Sequence, residues 1–293
     1  MSLPPFADAP PLPELIRIAC ILEVTARKPG NIHRGADFED AHYLDFLLSA
    51  SAIGDALGRG VDQGVGAAVL RAVQATRRVV NTNTNLGMIL LLAPLACAEG
   101  ADLRSEVSRI LDATTIKDTE HVYQAIRATR PGGLGHAVEQ DVNDQPTVPL
   151  IEAMRLAADR DLIACQYVNG YAEVFDLALP ALRAFLNTGR PLETAIIAAQ
   201  LTLMARHPDT LIARKRGPEI ARESARRAAS VLDSGWPDAP GSAEQLAAFD
   251  AWLRADGHAR NPGTSADLIA ATLFVALRDG TFPLPISHWT SVE

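Results

Sequence analysis

Cysteine is scarce in this sequence, and the three that occur (Cys20, Cys97 and Cys165) are far apart, sit in apolar surroundings and show no metal-ligand spacing. That argues against a disulfide framework or a cysteine metal site, and for buried free thiols in a reducing compartment. Met1 to Pro13 does not read as a secretory leader either, being rich in Pro and Ala without a basic n-region or an apolar h-region. The apolar run Leu86 to Ala98 is too short for a bilayer span, which takes about 20 residues. A soluble, cytoplasmic protein is the expectation. There is no cationic surplus: 27 Lys and Arg face 35 Asp and Glu, a formal net charge of −8. This disfavours a general nucleic-acid or anionic-membrane binder and leaves room only for a local basic patch. Alternation of β-branched residues is rare, and internal repeats, low-complexity tracts and coiled-coil heptads are absent from the pattern.

What remains is helix. With 293 residues and 48% hydrophobic content the chain can bury a sizeable core. Leu15, Ile18, Ala19 and Leu22 form an i, i+3, i+4, i+7 stripe, with Pro13 near its start. Helices are also predicted over residues 44–57, 66–79, 88–97, 102–111, 116–128 and 150–158. The long segment from 162 to about 186 has candidate breaks at Gly170 and Pro180, and 192–205, 218–232, 244–255 and 265–277 follow. The reading is an all-α fold: a flexible segment at 1–12, then a single globular multi-helix domain over 13–293 whose polar loops converge on one cleft.

Four polar stretches interrupt this pattern. Lys28-Pro29-Gly30-Asn31-Ile32-His33-Arg34 follows Glu23 on the first helix and precedes Asp37, Glu39 and Asp40. Lys and Arg suit phosphate and carboxylates suit a hard cation, although basic residues at a helix C-terminus would also simply match its dipole. Val80-Asn81-Thr82-Asn83-Thr84-Asn85-Leu86-Gly87 leads into the apolar run and reads as a polar rim on a buried helix. Such a rim suits phosphate oxygens or metal-bound water, and equally an elaborate helix cap. His207 to Gly217 places Asp209 and Thr210 before Arg214, Lys215 and Arg216, a triphosphate clamp or a solvated charge run. Asn261 to Asp267 precedes the last helix, where Thr264 or Ser265 can cap. The Pro131-Gly132-Gly133-Leu134-Gly135 loop, with Asp141, is long enough to be functional.

In this order the stretches resemble the triphosphoribosyl-dephospho-CoA synthase family. Lys28, Pro29, Gly30 and Arg34 match its Lys-Pro-Gly signature, and Asp40, Phe46 and Ser49 its next block. Asn83, Thr84 and Gly87 match an Asn-Thr-x-x-Gly, and Asp209, Thr210, Arg214 or Lys215, and Gly217 an Asp-Thr block. Pro262, Gly263, Ala266, Asp267 and Leu268 are close to the C-terminal pattern. His33 stands where Asp is usual, Phe38 where His is usual, and Asn85-Leu86 where His-Lys is usual. These departures suggest a divergent member, similar to relatives that accompany methanopterin-type C1 carriers.

The resemblance implies an all-helical transferase that moves a triphosphoribosyl group from ATP, or a related ribosyl-phosphate donor, to an alcohol with Mg²⁺. The acceptor would be dephospho-CoA or a C1-carrier precursor. Asp40 and Asp209 would be metal ligands or base, with Glu23 a further catalytic candidate. Lys28, Arg34, Arg214 and Lys215 would bind phosphate, Asn83 and Thr84 would orient substrate or metal-bound water, and Ser265 and Asp267 would contact substrate. Two other readings stand beside it: an N-glycosidic hydrolase of the ADP-ribosylglycohydrolase kind, and a non-enzymatic helical nucleotide-binding module. A homo-oligomer is compatible with all three.

Overall fold

Pro13 stands in the first turn of α1 (Leu12–Thr25), where its missing N–H has no helical partner to lose. The computed structural model describes residues 10–59, 63–129, 131, 135, 137 and 139–290. Of the segment expected to be flexible, residues 1–9 lie outside the described residues, as do Gly60 and Gly132, Gly133 and Leu134 of the long loop. Helices then follow as α2 (Tyr43–Gly58), α3 (Val65–Arg77), α4 (Leu86–Cys97), α5 (Leu103–Asp112), α6 (Ile116–Thr129) and α7 (Leu150–Arg155). After α8 (Leu162–Asn169), a π-helical turn, Glu173–Ala178, runs into α9 (Leu179–Asn187). The chain finishes with α10 (Leu192–Arg206), α11 (Thr210–Arg216), α12 (Pro218–Asp233), α13 (Ser242–Arg254) and α14 (Gly263–Arg278). One extended segment, Ala255–His258, links α13 to α14, and no sheet forms among the described residues.

The long segment after Leu162 breaks at Gly170, which takes the left-handed conformation that ends α8 (φ 67°). Pro180 causes no break because it falls in the first turn of α9.

Two central helices, α4 and α14, carry apolar residues on nearly every face, so each is stable only when surrounded. Ile89, Leu91, Leu92 and Leu95 of α4 are fully buried, as are Leu268, Leu273 and Phe274 of α14. Pro94 lies inside α4 and cannot donate to the carbonyl of Leu90. The Tyr167 hydroxyl donates to that carbonyl instead (2.7 Å), and the Tyr171 hydroxyl donates to the next one, on Leu91 (2.9 Å). A second, smaller core gathers Ile197, Leu201 and Met204 of α10 with Ile212, Val231, Phe249 and Leu253. It seats α11, α12 and α13 on the outer side of α10.

Candidate active site

Several helices begin near one another, and a cleft of about 1290 Å³ opens where they meet. Its acidic floor comes from the two ends of the chain. Glu23, on α1, is buried and holds the ammonium of the fully buried Lys28 at 2.7 Å. Asp267, on α14, faces the first turn of α4, where the nearby backbone N–H of Met88 offsets a little of its charge. Its approach requires Gly87, because a Cβ there would lie 1.9 Å from Asp267 Oδ2 and 2.7 Å from Ile163 Cδ1. Burial pushes the Asp267 carboxyl well above the usual carboxylate range, and the charges of Glu23, Asp209 and Asp161 add to it. Burial raises Glu23 as well, against the opposing pull of Lys28. A buried acid with a raised pKa can take or give a proton near neutral pH.

Above the floor, the Asn/Thr stretch forms the rim of α4. Asn83 Oδ1 accepts the Leu86 N–H (3.2 Å), while the Thr84 and Ser49 hydroxyls lie 2.6 Å apart. The Asn85 side chain turns back to Thr76 of α3. Across the cleft, Arg214 reaches Asp161 (3.4 Å) and Lys215 donates to the carbonyl of His258 (3.4 Å). Desolvation lowers the Lys215 pKa. His258 Nδ1 is 2.8 Å from Asp40 Oδ1, and its ring meets Phe38 edge-on. Glu23, Asp40, Asn83, Thr84, Arg214, Lys215 and Asp267 therefore share one cleft.

Lys28, Arg34, Asp209 and Ser265 do not line it. Lys28 spends its charge on Glu23, so it supports an acid instead of reaching a phosphate. Around it, the Lys-Pro-Gly-Asn stretch is a structural junction. Gly30 has φ 76°, donates to Asp250 Oδ1 (2.7 Å), and a Cβ on it would meet Leu253 and Pro262 under 3.0 Å. Asn31 bonds Asn261 and accepts from Gln200. Arg34 shares the buried Glu193 with Arg27. Asp209 is 1% exposed and accepts four bonds, from the N–H groups of Leu211, Ile212 and Ser265 and from the Ser265 hydroxyl. Both oxygens are saturated, so Asp209 latches α11 to α14 and has no lone pair turned to a metal. Ser265 is the other half of that latch.

The sequence reading missed Asp161, His258, Arg77, Arg127 and Arg160, which all line the cleft. Asp161 was the most legible of these, since it precedes an apolar helix and caps it through Ile163 and Ala164. Among the described residues, no group of three or more His, Cys, Asp or Glu is arranged to hold a metal by itself. No helix there is long and apolar enough to cross a membrane.

The family model for ATP:dephospho-CoA triphosphoribosyl transferase (CitG) matches residues 11–285. A Citrobacter koseri protein named "Probable 2-(5''-triphosphoribosyl)-3'-dephosphocoenzyme-A synthase" is 30% identical over 269 residues, covering 85% of this chain and 84% of its own. A crystal structure from Archaeoglobus fulgidus, assigned provisionally as a triphosphoribosyl-dephospho-CoA synthase, superposes with a TM-score of 0.63 at 26% identity. It covers 80% of this chain and all of its own. An all-α body, buried acids beneath a basic rim and a family match over nearly the whole length agree, and the chain belongs to the triphosphoribosyl-dephospho-CoA synthase family of ATP-using transferases.

Proposed function

We propose that this chain transfers the triphosphoribosyl part of ATP to a hydroxyl of dephospho-CoA and releases adenine. The observation that carries this reading is the placement of two buried acids, Glu23 and Asp267, in the same cleft as Arg214 and Lys215. In the reaction the bond from the anomeric carbon to adenine breaks with its electron pair going to adenine, which takes a proton from solvent as it leaves, and a bond to the acceptor oxygen forms. The carbon passes through oxocarbenium character, which the acidic floor favours electrostatically. Asp267 accepts the hydroxyl proton as the oxygen attacks, and Glu23, fixed in place by Lys28, shapes the floor on the α1 side. Arg214 and Lys215 take triphosphate oxygens, and the Asn83 and Thr84 rim orients the ribose.

Mg²⁺ fits this arrangement without a protein cage. The ion keeps most of its ligands from phosphates and water and needs about one or two carboxylates. Asp40 supplies a hard oxygen close enough to Lys215 for their charges to interact. When bound, Mg²⁺ would offset charge on the triphosphate. Asp209, saturated as it is, drops out of that role. The test is incubation of the protein with ATP, Mg²⁺ and dephospho-CoA, with free adenine and product mass followed together. Adenine accompanied by the triphosphoribosyl adduct supports the proposal. Adenine with free ribose triphosphate would mean transfer to water and a hydrolase.

A further inference from the structure

The cleft is also lined by residues of α6, α7 and α8, elements that carry none of the side chains assigned above to the donor. Ile126 of α6, Met154 of α7 and Leu156 just after α7 line the cleft there and keep apolar surface open, with Leu156 42% exposed. Three arginines lie along this part. Arg127 follows Ile126 on α6, Arg160 donates back to the carbonyl of Leu156 (2.7 Å), and Arg77 ends α3, which packs on α6.

Their bonding differs from that of several other arginines in the molecule. Arg104, Arg27 and Arg109 are each forked onto a carboxylate. Arg77 and Arg127 are instead held by carbonyls, of Asn81 (3.1 Å) and Val142, and have no carboxylate within 4 Å among the described residues. Arg160 has only the exposed Asp159 beside it (3.6 Å) among the described residues. A carbonyl contact orients a guanidinium without neutralising it, and leaves most of its five donors for a ligand. Two such groups, with Arg160 beside them, in a chain of net charge −8 mark a place for phosphate oxygens. The cleft volume of about 1290 Å³ also exceeds the roughly 300–1,000 Å³ usual for one small ligand.

We infer that the α6–α8 half of the cleft is a second subsite, binding an acceptor with a pyrophosphate and a long, weakly polar arm while the donor occupies Arg214 and Lys215. The pyrophosphate sits on Arg77, Arg127 and Arg160, and the arm lies along Ile126, Met154 and Leu156. Transfer is then direct, within a complex of enzyme and both substrates. This rests on the transferase reading above, and dephospho-CoA is the probe with that chemistry.

The experiment is calorimetric titration of dephospho-CoA, without ATP, into the parent, Arg77→Ala, Arg127→Ala and Arg214→Ala, with melting temperatures to confirm folding. A parallel titration with ATP and a two-substrate kinetic matrix complete it. The expected result is binding to the parent, weakened about tenfold or more in Arg77→Ala and Arg127→Ala, the range of one charge-assisted hydrogen bond. ATP binding should fall in Arg214→Ala alone, and the kinetic lines should intersect. Dephospho-CoA affinity unchanged in both α3 and α6 variants, or ATP affinity lost in them instead, overturns the subsite. Parallel lines, with adenine released before any acceptor is added, overturn simultaneous binding. Arginine-dependent binding of dephospho-CoA without any transfer leaves the subsite standing and removes the proposed reaction.

Discussion

Gly87 has no room for a side chain, and the atom that takes the room is a carboxylate oxygen of Asp267. Gly87→Ala must therefore push Asp267 off the start of α4 or move α4 itself. Overpacking of this sort costs about 1–3 kcal/mol. Transfer activity should fall far more than stability, because the displaced group is the one we propose as proton acceptor; urea unfolding and adenine release measured side by side check this. Asp267→Asn tests the charge without changing the shape. Burial holds the folded-state pKa of Asp267 above that of the unfolded chain. Between those two values the fold carries a proton the unfolded chain has lost, so stability falls as pH rises through the window. The amide removes that loss. The variant should be more stable than the parent at pH 8 and equal to it at pH 4, while losing at least about a hundredfold in turnover, as for a removed general base. Equal urea midpoints at both pH values would refute the buried-charge account. In sequence, Asp267 is only an acid in the first turns of a helix, which capping alone explains. Its approach to Gly87 joins distant elements, and no local pattern encodes that.

At the scale of single elements, α4 was legible as buried because its apolar run has no polar face to offer solvent. Its repair was not. Pro94 orphans the Leu90 carbonyl, and the donor that satisfies it is Tyr167, on a helix far along the chain. Tyr167→Phe should then cost about 1–3 kcal/mol, the penalty of an unsatisfied buried carbonyl. In a Pro94→Ala background the restored backbone N–H can serve that carbonyl, and the same substitution should cost clearly less. A double-mutant cycle by denaturant unfolding reads the coupling. Capping by Asp209 was also foreseeable. What the sequence could not separate is a carboxylate facing substrate from one consumed by its neighbours: Asp40 and Asp209 look alike until the Ser265 bonds are counted. Lys28 and Arg214 differ in the same way, one closed on Glu23 and the other open to the cleft.

Across the whole molecule, two cores divide the labour. The larger surrounds α4 and α14, and the smaller ties α11 to α13 onto α10. Hydrogen exchange should reflect this, with amides of α4 and α14 protected close to the global stability and those of α12 and α13 opening at lower free energy. Added ATP with Mg²⁺ should slow exchange in α11 and around His258, which carry the basic rim. Uniform protection across both cores would mean they unfold as one unit.

The acidic floor takes Glu23 from the first helix and Asp267 from the last. During synthesis the two are separated by nearly the whole polypeptide, so a ribosome must deliver α14 before the floor can exist. Domains assemble as units while the chain emerges, and contacts between distant segments close late. An unfinished chain would have the arginines and the Asn/Thr rim without the proposed proton acceptor. Nascent and prematurely terminated chains are thereby unable to consume ATP, and the onset of activity in a timed translation reaction should trail the synthesis of residue 267.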